Sequence, residues 1–440
     1  MAEHKFFPLL RYDDQWVPYR SGEPENKKKK LRPIRYGARG DTYIFKYYRR
    51  ELSKLYEARL DCLGIAQCPI AYRKIQRDSG IGGKCNIDFA KDAFDQIDSF
   101  GDCVAIALDI ESYFENLDHA RIKRVWSDLL GVERLPPDHF AVFKNITRYR
   151  FVDRQAVLHR LGYVGSEGLL LQLKEVPIQL CSPADFRAKI CGKDSNFTSL
   201  IRKNTLSRGV PQGTPISDLI ANFYLLDFDL QMHRYAENLG GCYMRYSDDI
   251  LLVLPGGREL VDDAVLFASN QIQNYGENLK IKSSKTCAVQ FQLQGGKLRY
   301  QHIKQRSDEG NKNGFEYLGF RYDGRRVYVR DSTMSSFYRK VSAAAKVEGW
   351  RHALERDSKD ITYLSDTFNY SQFSQQFSRV KGFNPNGEFR ERTFYSYLKR
   401  ATDTFGSRGD RILRQAKGFK KFMHDRVEEA IIRAVSCRKP

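Results

Sequence analysis

Val104-Ala105-Ile106-Ala107-Leu108 is an unbroken apolar run that ends on an acid, Asp109. Its length suits a strand buried on both faces, which places it inside a sheet covered by other elements. A second pair of apolar runs, Tyr243 to Tyr246 and Ile250 to Leu254, flanks Ser247-Asp248-Asp249 and reads as a hairpin with acids at its tip. A carboxylate beside a hydrophobic core is costly unless it is hydrogen-bonded, paired or bound to a cation. Each of the three acids, taken alone, reads as a turn or cap residue. Two strand ends in one sheet, however, bring Asp109 and the Asp248-Asp249 pair together, and three like charges then need a metal.

Oxygen ligands of this kind suit Mg²⁺, with Mn²⁺ as the alternative, and water and substrate phosphates fill the remaining positions. Two such ions activate a hydroxyl for attack on a phosphate and stabilise a leaving pyrophosphate. The nine cysteines show no clustered Cys/His spacing that offers a transition-metal site, and no Gly-x-x-x-x-Gly-Lys segment supports a P-loop nucleotidase. The scattered, odd cysteine count points to reduced thiols in a cytosol.

The formal net charge of +19 calls for a polyanionic partner, and nucleic acid is the commonest. The longest apolar runs fall far short of the ~20 residues that span a membrane, and the N-terminus lacks an apolar leader core. Both point to a cytoplasmic chain without a membrane partner. A length of 440 residues, 41 % of them hydrophobic, leads us to expect two or three subdomains around a sizeable core.

Apolar periodicity predicts helices over residues 43–66, 86–99 (with Asn86 as a cap), 118–130 and 216–239. Phe315 to Tyr322 and Arg326 to Val329 read as strands flanking an Asp323-Gly324-Arg325 turn. Residues 150–205 show weak periodicity and are expected to form an irregular or partly helical insertion. The run Lys27 to Lys30, with Arg32 and Arg35, reads as a solvated loop, with phosphate contact the lesser reading. Beyond residue 330 the pattern turns to helices rich in Arg and Lys.

Five segments in order resemble the catalytic blocks of reverse transcriptases. They are Leu108-Asp109-Ile110-Glu111-Ser112-Tyr113-Phe114; Arg208 to Ser217, with Pro211-Gln212-Gly213; Tyr243 to Asp249; Leu279-Lys280-Ile281 through Lys285-Thr286; and Phe315 to Phe320. Ala71 to Lys74 and Gly83 to Asp88 resemble, more loosely, basic blocks of the bacterial enzymes. The resemblance implies an α+β right-hand polymerase. Fingers would lie over residues 1–100. A palm over 101–330 would hold an antiparallel sheet backed by helices and an insertion near 150–205 that takes in part of the fingers. A basic, helical, thumb-like part would cover 331–440.

Residue roles follow from the same resemblance. Asp109, Asp248, Asp249 and the main-chain oxygen of Ile110 would hold two Mg²⁺ ions, and Lys285 would protonate pyrophosphate. Arg73, Lys84, Tyr113, Phe114 and Gln212 would bind the dNTP, with Phe114 excluding a ribose 2′-hydroxyl. Pro211, Gly213, Tyr246, Leu318 and Gly319 would face template and primer. The compact plan is similar to bacterial retron, diversity-generating and antiphage-defence reverse transcriptases. It leans to the last, which implies a noncoding RNA template and a DNA product. Two other readings stay open: untemplated or protein-primed DNA synthesis, and a catalytically silent RNA-binding scaffold.

Overall fold

The computed structural model describes residues 2–16, 30–164, 179–306, 313–378 and 393–437. Strands β1 (Leu9–Trp16) and β2 (Lys30–Tyr36) precede helices α1 (Arg39–Leu63) and α2 (Asn86–Phe100). β3 (Cys103–Asp109) leads into α3 (Tyr113–Asn116), α4 (His119–Leu130) and α5 (Pro137–Thr147). Next come β4 (Arg150–Asp153), α6 (Arg154–Arg160), α7 (Pro183–Asp185) and β5 (Arg202–Lys203). Helices α8 (Ser217–Tyr224) and α9 (Leu226–Asn238) lead to the hairpin β6 (Cys242–Tyr246) and β7 (Asp249–Pro255). α10 (Glu259–Gln273) is followed by β8 (Cys287–Gln294) and β9 (Lys297–Lys304).

The central sheet is antiparallel, with strand order β6-β7-β3-β8-β9. Every residue of β3 is buried, which is why its sequence is a continuous apolar run rather than an alternation. Val104, Ile106 and Leu108 pack with Phe223, Phe228 and Ala264 from α8, α9 and α10. Ala105 and Ala107 share the other core with Phe89 and Phe94 of α2. This face also meets a small antiparallel sheet of β10 (Phe315–Tyr317), β11 (Phe320–Tyr322) and β12 (Val327–Val329). The C-terminal part is helical: α11 (Asp331–Arg356), α12 (Ile361–Asp366), α13 (Tyr370–Ser378), α14 (Phe394–Phe405) and α15 (Phe419–Ser436). Its own core joins Phe337 and Val341 of α11 to Met423 and Val427 of α15. The α+β class, with an antiparallel sheet backed by helices and a helical C-terminal region, is the one expected.

Four local expectations are corrected. The stretch 150–205 is partly helical, as expected, but also carries two short strands. β4 pairs in parallel with β1, and β5 extends the sheet to the order β2-β1-β4-β5. Residues 165–178 of that stretch lie outside the described residues. The helix expected over 216–239 breaks at Leu225. Carbonyls of its last turns are taken by side chains: Ala221 by the Tyr113 hydroxyl, Asn222 by Arg245 and Tyr224 by Arg121. The strand expected over 315–322 folds on itself, because Leu318 and Gly319 adopt φ of 46° and 90° and make a tight turn. Asn86 is the first residue of α2, not its cap. The cap is Cys85, whose N–H donates to the Asp88 carboxylate at 2.8 Å. Residues 27–29 of the Lys run lie outside the described residues.

Candidate active site

Register assembles the site. β3 and β7 pair so that Asp109 lies directly opposite Asp249. The ladder continues one step further, where the Ile110 N–H donates to the Asp248 carbonyl at 3.0 Å. Ser247 makes the turn between β6 and β7 with a φ of 61°, a left-handed conformation uncommon for a residue with a Cβ. Beyond β3, Lys282 N–H donates to the Asp109 carbonyl at 2.8 Å, which draws the segment 282–285 over the end of the strand.

Asp109, Ile110, Tyr113, Phe114, Gln212, Asp248 and Lys285 line one cleft. Asp249 opens on an adjoining cavity, with Tyr246, Leu318 and Gly319. Among the described residues, no three Asp, Glu, His or Cys side chains form a group able to hold a metal. Asp109 and Asp248 line the cleft, and Asp249, directly across the ladder from Asp109, lines the adjoining cavity. Asp248 belongs to the turn and Asp249 to the strand, so the two consecutive side chains diverge.

The three acids still feel one another. Burial, then the charge of Asp109, raises the pKa of Asp248. Burial, then the charges of Asp248 and Asp109, pushes Asp249 up to about 7. Lys285 Nζ donates to Asp109 Oδ2. Two hard-oxygen carboxylates in a cleft fit Mg²⁺, which is commonly held by one or two carboxylates with water and substrate phosphates completing its shell.

Phe114 is 8 % exposed, and the Tyr113 ring packs against it at 5.8 Å and 70°. The Tyr113 hydroxyl faces away from the cleft and donates to the Ala221 carbonyl. Gln212 is positioned from outside its own segment, since Arg35 N–H donates to its carbonyl at 2.7 Å. Gly213 has a φ of 105°, and a Cβ there would sit 2.7 Å from the Arg35 oxygen. Pro211 is buried beside it. At the adjoining cavity, Asn86 Nδ2 donates to the Leu318 carbonyl at 3.1 Å and so fixes the Leu318-Gly319 turn.

Arg73 and Lys84 are not brought to the cleft. The Arg73 guanidinium is 6 % exposed and donates to Glu57 and to the carbonyls of Ala66 and Pro69. Lys84 pairs with Asp92 at 2.9 Å and Asp78 at 3.4 Å. Arg32 and Lys282 line the cleft instead. Sequence reasoning left Arg32 inside a charge run and passed over Lys282. It also missed Asp229, which with Arg245 anchors the hairpin. The available signal was a charged residue at a buried position between Tyr243, Met244 and Tyr246.

Residues 179–322 match the family model described as reverse transcriptase (RNA-dependent DNA polymerase). No curated protein matches the sequence. Among solved structures, telomerase from Candida albicans in complex with a TWJ fragment of telomeric RNA is similar at 12 % identity and a TM-score of 0.40. That match covers 100 % of this chain and 65 % of the other. Apo telomerase from Candida tropicalis, truncated from the C-terminal domain, is similar at 10 % identity and a TM-score of 0.39, covering 73 % of this chain and 57 % of that one. The chain spans less than two thirds of the length of either telomerase chain. Among the described residues, no helix is long and apolar enough to cross a membrane. Residues 179–322 are thus similar to the reverse transcriptase (RNA-dependent DNA polymerase) domain, and this stretch includes the Asp248-Asp249 hairpin.

Proposed function

We propose that this protein is an RNA-directed DNA polymerase that adds dNTPs to a primer 3′-hydroxyl, with Asp109 and Asp248 at its metal site. The observation that carries the reading is the convergence of these two carboxylates on one cleft with Phe114, Gln212 and Lys285. Asp109, Asp248, Asp249 and the Ile110 carbonyl would hold Mg²⁺, or Mn²⁺ in its place. Two such ions supply Lewis-acid activation of the attacking hydroxyl and charge neutralisation at the leaving pyrophosphate.

The chain's own side chains do the rest. Phe114 packs under the sugar and leaves no room for a 2′-hydroxyl. Gln212 orients the incoming nucleotide by its amide. Arg32 and Lys282 neutralise triphosphate charge, in place of Arg73 and Lys84. Lys285 holds a proton at Nζ for the leaving pyrophosphate. Pro211, Gly213 and Tyr246 face the template, and the Leu318-Gly319 turn faces the primer end.

The template we assign is a dedicated noncoding RNA, and the setting is antiphage defence in a bacterial cytoplasm. Both rest on the resemblance of the compact block plan to those bacterial enzymes.

The test is incorporation of labelled dNTPs by the purified chain with Mg²⁺ and its copurifying RNA. Asp248→Asn should abolish incorporation and leave RNA binding intact. Synthesis that persists in Asp248→Asn overturns the site. Product covalently attached to protein would favour protein priming, and no synthesis with any divalent ion would favour the silent scaffold.

A further inference from the structure

Outside the cleft, α4, α5 and residues 203–207 enclose a groove of about 680 Å³. Its rim carries Lys123, Lys144, Arg148 and Lys203, all exposed, and no carboxylate lines it. Among the described residues none of these four cations has an ion-pair partner. Unpaired like charges around one concavity repel each other and concentrate anions there.

The groove is not merely basic. Phe140 is 42 % exposed at its edge, and Lys123 Nζ lies 5.6 Å from the centre of that ring. Phe143 stacks behind Phe140, with ring centres 6.1 Å apart and planes at 27°. Cations beside an open aromatic face are the pairing that holds a single nucleic acid strand, phosphate on one and base on the other. The floor is rigid, because Asn204 Nδ2 donates to the Thr147 carbonyl at 2.9 Å and to the Arg208 carbonyl at 3.0 Å.

Both walls are joined in sequence to segments that line the catalytic cleft, at Phe114 and Gln212. The His119 N–H donates to the Ser207 carbonyl at 2.9 Å, and the Val210 N–H to the Phe114 carbonyl at 2.9 Å. The chain from Ser207 to Gln212 spans at most about 17 Å. That is roughly five nucleotides of stacked strand.

We infer that this groove binds the single-stranded template RNA a few nucleotides before it reaches the cleft. That the strand is template rests on the polymerase reading above; that the groove takes a single strand does not.

The test pairs two readouts on the full chain and on Lys144→Gln/Arg148→Gln, whose residues are exposed and outside the catalytic machinery. The first is anisotropy of a labelled single-stranded RNA of roughly 12 nucleotides across a salt series. Removing two phosphate-neutralising cations should shrink the log–log salt slope by about 1.4 and lower affinity at low salt about tenfold or more. The second is primer extension on templates with overhangs of roughly two or 12 nucleotides, set either side of the five-nucleotide span. The long overhang should bind more tightly in the unaltered chain. The variant should lose that advantage and extend the short-overhang template at an unchanged rate.

Unchanged RNA affinity and salt slope in the variant would overturn the groove, whatever the polymerase activity. Equal loss on both overhangs would overturn its placement ahead of the cleft. A matched single-stranded DNA that binds more tightly than RNA and loses the same factor would make the occupant product DNA and overturn the template assignment. RNA binding that depends on the groove, without any dNTP incorporation, would overturn the polymerase reading and leave the groove standing.

Discussion

Arg245 and Asp229 form an ion pair with no solvent exposure behind the turn that carries Asp248. Asp229 accepts from Arg245 Nε and Nη2, each at 2.6 Å, and from the Tyr243 hydroxyl at 2.7 Å. Arg245 Nη1 donates to the Ser247 carbonyl at 3.0 Å, so the pair ties the hairpin tip to α9. Asp229→Ala leaves a guanidinium buried without a counter-charge and should cost about 3–5 kcal/mol. Replacing both residues by Leu and Met should cost much less, because no charge is stranded. Urea denaturation of the single and double variants measures this. A loss under about 1 kcal/mol in Asp229→Ala would contradict the assigned role.

Asp249 predicts an unusual pH dependence. An ordinary aspartate titrates near pH ~3.9 in the unfolded chain. Burial, with the charges of Asp248 and Asp109, raises it to about 7 in the folded one. Between these values the folded state binds more protons than the unfolded state, so stability falls as pH rises. The contribution is intact below about pH 4 and fully lost above about pH 7, on the order of 4 kcal/mol in all. Unfolding free energies at about pH 5 and about pH 8, measured with a chelator present, should show the larger part of this drop. Asp249→Asn should reduce it, and an equal drop in both proteins rules the residue out as its source.

How much of the fold and site is legible in the sequence depends on where each signal resides. β3 and the β6–β7 hairpin are readable because burial on two faces writes a continuous apolar run, and an acid at its end then stands out. β4 and β5 are not, since strands of four and two residues are too short to show a period. The break at Leu225 is hidden because Tyr113, Arg121 and Arg245, distant in sequence, take the carbonyls. Arg73 and Lys84 mislead because sequence shows a cation but not the Glu57 or Asp92 that claims it. The Leu318 turn is masked by a residue whose side chain argues for a strand.

Gly213 links the site to β2, and substitution there should disturb both. A Cβ would lie 2.7 Å from the Arg35 oxygen and 2.9 Å from Ile34 Cγ2, at a φ of 105° that disfavours any side chain. The backbone cannot yield without straining the bond from Arg35 N–H to the Gln212 carbonyl. Gly213→Ala should cost about 1–3 kcal/mol in stability. It should also raise KM for dNTPs several-fold by displacing Gln212. Thermal unfolding and steady-state kinetics together check this. A stability loss with unchanged KM would detach Gln212 from nucleotide binding.

Phe114 offers the sharpest test of which sugar the cleft admits. Its ring is held on one side by Tyr113, whose hydroxyl is anchored on the Ala221 carbonyl. Its own carbonyl accepts from Val210 N–H, so neither backbone nor ring swings freely. A rigid wall rejects an added hydroxyl by steric clash, whereas a mobile one would yield. Phe114→Val shortens the wall and keeps an apolar surface. It should raise the ratio of rNTP to dNTP incorporation at least tenfold, equivalent to about 1.4 kcal/mol. Its kcat/KM for dNTPs should change only a few-fold. Tyr113→Phe removes only the anchor, so it should relax discrimination less and in the same direction. An unchanged ratio in Phe114→Val, with dNTP use intact, would make Phe114 an ordinary core aromatic and move the sugar gate elsewhere in the cleft.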